Sequence, residues 1–316
     1  MNKKLLIAAL ALVFVACDNE DSPNGEDANN TNQNKMVSQD VYTESGFTTR
    51  AYEAIHRLEM PRLCEDTNHA FVAHFTPDGQ LNYAMDYDKA QKASRWTAYQ
   101  WYTGNTVNKW NRNNWYSGYT FNNYGGNGDP FQPDPVIPTQ YQSTLDQHRS
   151  NGYDRGHMLG SADRLYSKEA NGQTFYLSNM QPQWNSFNAQ GIWYNLESYI
   201  RNNFNKDSFR DTLYVVKGGT IAEGQIKEVK NGLPVPEYFF MAILCYKQKD
   251  QNIMGGYKAI AFWMKHKANT DKNYKDYAIS IDELERNTGI DFFCNLPDNI
   301  EKQVESTLVP GTWGLR

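Results

Sequence analysis

The chain has 316 residues, 40% hydrophobic and 21% charged, which is enough apolar material for one large core. Four cysteines exclude a disulfide-stapled miniprotein, and a mean hydropathy of -0.75 excludes a polytopic membrane protein. Of the net charge of -5, the first 34 residues contribute five acids and two lysines; residues 35–316 hold 29 bases against 31 acids, a balance that leaves room for a local basic cleft.

In chain order, Met1–Lys4 is a short basic segment and Leu5–Ala16 an apolar run too short to span a bilayer, the architecture of a signal peptide. Its end, Val13-Phe14-Val15-Ala16-Cys17, resembles a bacterial lipobox with Phe14 in the usual leucine position. That resemblance implies a lipoprotein signal over 1–17 and lipidation at Cys17; an ordinary cleaved signal with an incidental cysteine is the alternative. Residues 18–40 are acidic, Asn-rich and poor in aromatics, and read as a disordered tether. Residues 41–316 then read as a single domain. The lipobox resemblance implies a location in the envelope of a Gram-negative bacterium, lipid-anchored at the outer membrane, periplasmic or surface-exposed, with the membrane touched only through the N-terminal lipid.

Within the domain, β-branched and aromatic runs at His69–Phe75, Ser94–Tyr102, Thr174–Leu177, Leu213–Gly218, Tyr238–Tyr246 and Lys258–Lys265 predict strands. The long segment 103–151 is rich in Asn, Gly, Pro and Tyr; its aromatic part, 105–124, suits either base stacking or packing of the loop onto the body. Ile192, Trp193, Leu196, Ile200 and Phe204 recur at helical spacing and predict a helix over Asn188–Phe204, followed by shorter ones at Ile281–Thr288 and Pro297–Ser306. The fold class is α+β: a mixed, mainly antiparallel central sheet flanked by helices. Cys245 lies in an apolar run and reads as a core thiol, whereas Cys64 and Cys294 sit in loop-like contexts and are a possible disulfide.

The chemistry concentrates between Asn151 and Arg201. Tyr153-Asp154-Arg155-Gly156-His157 is followed by Ser161-Ala162-Asp163-Arg164, then Ser178-Asn179-Met180-Gln181-Pro182-Gln183, then Asn188 and Trp193-Tyr194-Asn195-Leu196-Glu197, with Arg201 four residues on. A histidine can take a proton from water near neutral pH. Arginines grip phosphate, and amide and carboxylate oxygens suit a hard cation such as Mg²⁺. Water activation, phosphate grip and hard-metal ligation together describe metal-assisted phosphodiester hydrolysis.

This ordered set of blocks resembles the DNA/RNA non-specific endonuclease family of the ββα-metal (His-Me finger) superfamily. The resemblance implies a Mg²⁺-dependent endonuclease acting on DNA and RNA and leaving 5′-phosphate products, with Mn²⁺ a substitute metal and no obligate protein partner. Residue by residue, it implies His157 as general base, Asn188 as direct metal ligand, and Glu197 as a carboxylate acting on the metal through water. It further implies Arg155 and Arg201 as phosphate-holding arginines, and Asp154 and Asn179 as supports of the His157 finger.

Two features depart from the family pattern. Asn188 and Glu197 are nine residues apart where eight are expected; a regular helix would then set them on opposite faces, so the extra residue near Ala189 is expected to be absorbed as a π-bulge or by a non-helical Asn188. Asp129 occupies a position where relatives carry an arginine, and Arg149 and Arg164 are the candidate substitutes. The alternatives to an active nuclease are a catalytically degenerate homologue that still binds nucleic acid, and a glycan-binding surface lipoprotein.

Overall fold

The computed structural model describes residues 30–35, 39–248 and 256–315. The expected signal peptide, Cys17 and the first part of the expected tether lie outside them. β1 (Asp40–Thr43) runs parallel to β2 (His69–Phe75), with α1 (Thr48–Ala54) between them, and β3 (Leu81–Asp88) and β4 (Ala93–Tyr102) follow as antiparallel neighbours. The chain then leaves the sheet for the hairpin β5 (Thr120–Phe121) and β6 (Tyr124–Gly125), strand β7 (Asp154–His157), helix α2 (Lys168–Gln173), strand β8 (Met180–Gln183) and helix α3 (Ile192–Asn203). It returns as β9 (Thr212–Gly219), forms the hairpin β10 (Ile226–Lys230) and β11 (Leu233–Pro236), and adds β12 (Tyr238–Tyr246), β13 (Tyr257–Lys265) and β14 (Ala278–Ile279) before α4 (Ile281–Thr288) and α5 (Asp298–Ser306). The eight-stranded sheet has the order β1-β2-β3-β4-β9-β12-β13-β14 and is antiparallel except at its β1/β2 edge.

The unbroken apolar run of β12 follows from its central position with both faces covered. Phe239, Met241, Ile243 and Cys245 enter the core shared with α3, while Phe240, Ala242 and Leu244 enter the core beneath α1, α4 and α5. Helix α4 begins at Ser280, whose hydroxyl accepts from the Glu283 N–H at 3.1 Å, and ends at Gly289, whose φ of 64° suits a left-handed cap.

Three sequence expectations are corrected here. Thr174–Leu177 is a turn with a single bridge from Tyr176 to Gln132, because the Asn179 side chain takes up the Thr174 carbonyl at 2.8 Å. Cys64 and Cys294 do not bond to each other; Cys294 is buried, with its sulfur 3.7 Å from the Met60 carbonyl oxygen. The tether does not extend to residue 40. Asn30 donates to the Leu296 carbonyl at 2.7 Å, Thr31 bonds Asp298, and Asn34 bridges the Ile55 and Pro61 carbonyls and the Leu63 N–H at 3.0 Å each. Among the described residues no helix is long and apolar enough to cross a membrane.

Candidate active site

β7 and β8 pair antiparallel, placing His157 opposite Met180 and Gly156 opposite Gln181. A side chain at position 156 would meet the buried Gln183 amide, which packs against the bare Gly156 backbone. The turn after His157 is clamped by Asn179, whose amide donates to the Leu159 carbonyl at 3.0 Å while its oxygen accepts from the Leu159 N–H at 2.9 Å. The indole N–H of Trp193 in α3 donates to the His157 carbonyl at 3.2 Å, closing a unit of two strands and a helix.

This unit brings His157, Arg155, Asn188, Glu197 and Arg201 onto one cavity of about 570 Å³, with Asp154, Arg112, Arg149 and Phe131 also in its wall. The imidazole lies between Phe131 (ring centroids 5.5 Å apart) and the edge of Phe175 (5.3 Å), and its Nε2 is buried without a hydrogen-bond partner. Arg155 stacks over Phe131 at 3.6 Å and Arg112 over Phe175 at 5.1 Å. Burial first, then the charges of Arg112, Arg155 and Lys217, hold the imidazole well below its ordinary range, so it is neutral at neutral pH. A neutral imidazole is the form that can accept a proton.

The extra residue is taken up before the helix starts. Trp193 N–H reaches the Phe187 carbonyl at 3.0 Å and Tyr194 N–H the Asn188 carbonyl at 3.3 Å, bonds spanning six residues where a helix spans four. The turn 188–191 thus loops outward and Asn188 is non-helical. Its amide donates to Asp154 at 3.2 Å, beside that of Asn185 at 2.9 Å, which orients Asn188 in the cavity wall.

Behind the wall is a buried charge network. Glu197, 8% exposed, accepts from the Lys217 ammonium at 2.8 Å, and Lys217 is 3.7 Å from Asp163. Asp163 in turn accepts from Arg201 Nε at 2.7 Å. Burial pushes Glu197 above the usual carboxylate range, against the pull of Lys217, while the facing carboxylates keep Lys217 and Arg201 protonated. The bond from Arg201 to Asp163 fixes its guanidinium at the cavity edge.

Asp129 forms an ion pair with Arg155 at 3.1 Å, and Arg149 lies 3.8 Å from the same carboxylate. Of the two candidate substitutes for the missing arginine, Arg149 reaches the cavity. Arg164 is buried, donating to the Asn82, Gln100 and Asp163 carbonyls, and is structural.

A family model described as DNA/RNA non-specific endonuclease matches residues 69–299. The chain belongs to this family. The endonuclease is 29% identical over 239 residues to a nuclease of Nostoc, covering 73% of this chain and 79% of the relative. It is 31% identical over 188 residues to the mitochondrial nuclease 1 of Schizosaccharomyces pombe, and 29% over 228 residues to the mitochondrial nuclease EXOG of Xenopus laevis. Those alignments cover 57% and 68% of this chain, and 58% of each relative. The solved EndoG/EndoGI complex shares its fold, with a TM-score of 0.57 at 20% identity over 69% of this chain and 85% of the solved chain. The endonuclease is thus a hydrolase acting on DNA and RNA, from a metal-dependent family.

Lys217 and Arg112 of the endonuclease lie outside the motif blocks, yet Lys217 pairs with Glu197 and Arg112 lines the cavity. The first carried a signal: in β9, Leu213, Val215 and Lys217 alternate onto one face, where a lysine interrupts an otherwise apolar stripe. Arg112 stands in the aromatic-rich loop and only tertiary packing brings it to His157. That loop anchors through Trp115, which donates to Asn171 at 2.7 Å, while Tyr116 and Tyr119 remain exposed.

Proposed function

We propose that this chain is a Mg²⁺-dependent, sugar-non-specific endonuclease in which His157 accepts the proton of the attacking water and 5′-phosphate products result. The observation that carries this is the convergence of His157, Asn188, Glu197, Arg155 and Arg201 on one cavity. The donor set fits a hard cation: with the Asn188 amide nitrogen committed to Asp154, its oxygen is the ligating end. Glu197, already paired with Lys217, suits hydrogen bonding to metal-bound water better than direct ligation. When bound, Mg²⁺ (or Mn²⁺ in its place) supplies charge stabilisation at the phosphate oxygens. The chain's own groups do the rest. His157 holds the proton, Arg201 grips phosphate from its Asp163 mooring, and Arg155 grips phosphate by exchanging Asp129 for the anion. We extend the reading to location: lipidation at Cys17 tethers the nuclease to the outer membrane of a Gram-negative envelope, as the lipobox-like sequence supports.

Digestion of plasmid DNA and total RNA by the protein lacking residues 1–17, with Mg²⁺ or EDTA, tests the proposal beside His157→Ala. Cutting of both substrates with Mg²⁺ alone, and a loss of about a hundredfold or more in the variant, is the expected result. A folded protein that binds DNA with a steep salt dependence yet cuts with neither Mg²⁺ nor Mn²⁺ would overturn it in favour of a degenerate homologue.

A further inference from the structure

Outside the cavity, a second group of hard ligands lies where α4 and α5 meet. One carboxylate oxygen from each of Asp282, Glu285 and Glu305 falls within 4.8 Å of the others. Asp282 and Glu285 are three residues apart on α4, so they share a face, and Glu305 projects from α5. Two further carboxylates adjoin them, Glu301 and Asp291, whose nearest oxygens are 2.7 and 3.4 Å from the Asn32 amide nitrogen. Glu285 accepts the Phe292 N–H at 2.8 Å.

Glu305 is the informative member. It is only 6% exposed, and its Oε1 is buried with no hydrogen-bond partner. A buried carboxylate oxygen without a donor is costly unless a cation or a proton accompanies it. The groups acting on Glu305 are the carboxyls of Glu285, Glu301, Asp291 and Asp282; the nearby Arg62 is occupied with the Asn32 carbonyl at 2.7 Å and acts on Asp291.

We infer that Asp282, Glu285 and Glu305 form a binding site for a divalent cation of the Ca²⁺ class, separate from the catalytic cavity, that clamps α4 to α5. The donors are all oxygen and all anionic, which selects a hard ion. Ca²⁺ accepts irregular sets of six to eight oxygens, whereas Mg²⁺ demands a near-ideal octahedron that two independent helices do not enforce. Because α5 also anchors Thr31 and Asn32, the bound ion would stiffen the point where the N-terminal segment joins the domain.

The test measures Ca²⁺ binding by equilibrium dialysis, and melting temperature with and without Ca²⁺, on the full chain and on Asn188→Ala, Glu305→Gln and Asp282→Asn. Asn188→Ala removes the proposed catalytic ligand, so failure of the active-site reading and failure of this one are read separately. The expected result is that Asn188→Ala keeps a Ca²⁺ ion and a rise of about 4 °C or more at saturation, and that Glu305→Gln loses both. Asp282→Asn serves if Glu305→Gln does not fold, and is expected to weaken binding about tenfold or more. Undiminished Ca²⁺ binding in the carboxylate variants would overturn the inference. So would the absence of any Ca²⁺ effect on Asn188→Ala together with a more stable Glu305→Gln, which would mean that the cluster holds a shared proton.

Discussion

On one face of the central sheet, Phe240, Ala242 and Leu244 of β12 and Val216 of β9 meet α1, α4 and α5 through apolar groups. On the other, the same strands offer Phe239, Met241 and Ile243 to α3, but β9 also offers Lys217, 1% exposed, to Glu197 and Asp163. The first face holds the fold by burial, at about 25 cal/mol per Å² of apolar surface removed from water. The second gives up part of that gain to keep five ionisable groups, Asp163, Glu197, Arg201, Lys217 and His157, in fixed positions beneath a cavity. Buried ion pairs contribute little net stability against an apolar replacement, so a linked network of them lying directly beneath a cavity marks where the fold serves chemistry.

Lys217→Met would break this comparison most sharply. It leaves Glu197 and Asp163 buried beside Arg201 alone, and is expected to cost about 3–5 kcal/mol in urea unfolding and to reduce cutting at temperatures where the variant is folded. If cutting is unchanged in the folded variant, the network is packing and the two faces are alike. Leu244→Ala on the opposite face should cost about 2–5 kcal/mol through the cavity it leaves, with the metal dependence and rate of the folded enzyme preserved.

The pH dependence of stability refines the picture. Burial pushes His148 and His266 down to about 4, so the unfolded chain binds protons that the folded chain refuses, and stability falls as pH drops from about 6.5 towards 4. His74 acts in the opposite sense. Burial alone would lower it, but Asp134 and Glu44, at 3.0 and 2.9 Å, raise it to about 10; its stabilisation is complete below about 6.5 and is lost as pH rises to 10. Melting curves of His148→Gln should show a shallower acid limb and an unchanged alkaline one. The smallest effect is expected at the cavity rim. Asp129→Asn frees Arg155 from a partly exposed pair worth at most about 1 kcal/mol, so nucleic-acid affinity should rise by up to about fivefold with a steeper salt dependence, as read by filter binding.

Most of the sheet and the members of the candidate site were legible in the sequence because β-branched and aromatic runs and the Asp154–His157, Asn179, Asn188 and Glu197 blocks are local patterns. His69–Phe75, Tyr238–Tyr246 and Ile281–Thr288 match their elements end to end, and the remaining matched strands and helices differ from theirs by a few terminal residues. The sequence also located the extra residue near Ala189, since spacings on either side fix its place. It did not determine how the chain absorbs that residue. The turn 188–191 is held between the Asn188–Asp154 bond at one end and the start of the helix at the other, and the bonds from Trp193 and Tyr194 across six residues close it. The pairing of Arg155 with Asp129, the recruitment of Arg112 and Lys217, the absence of a bond between Cys64 and Cys294, and the docking of residues 30–34 were likewise decided by tertiary structure. Each joins segments far apart in the chain, and a charge, a thiol or an amide shows no partner preference until folding sets the distance.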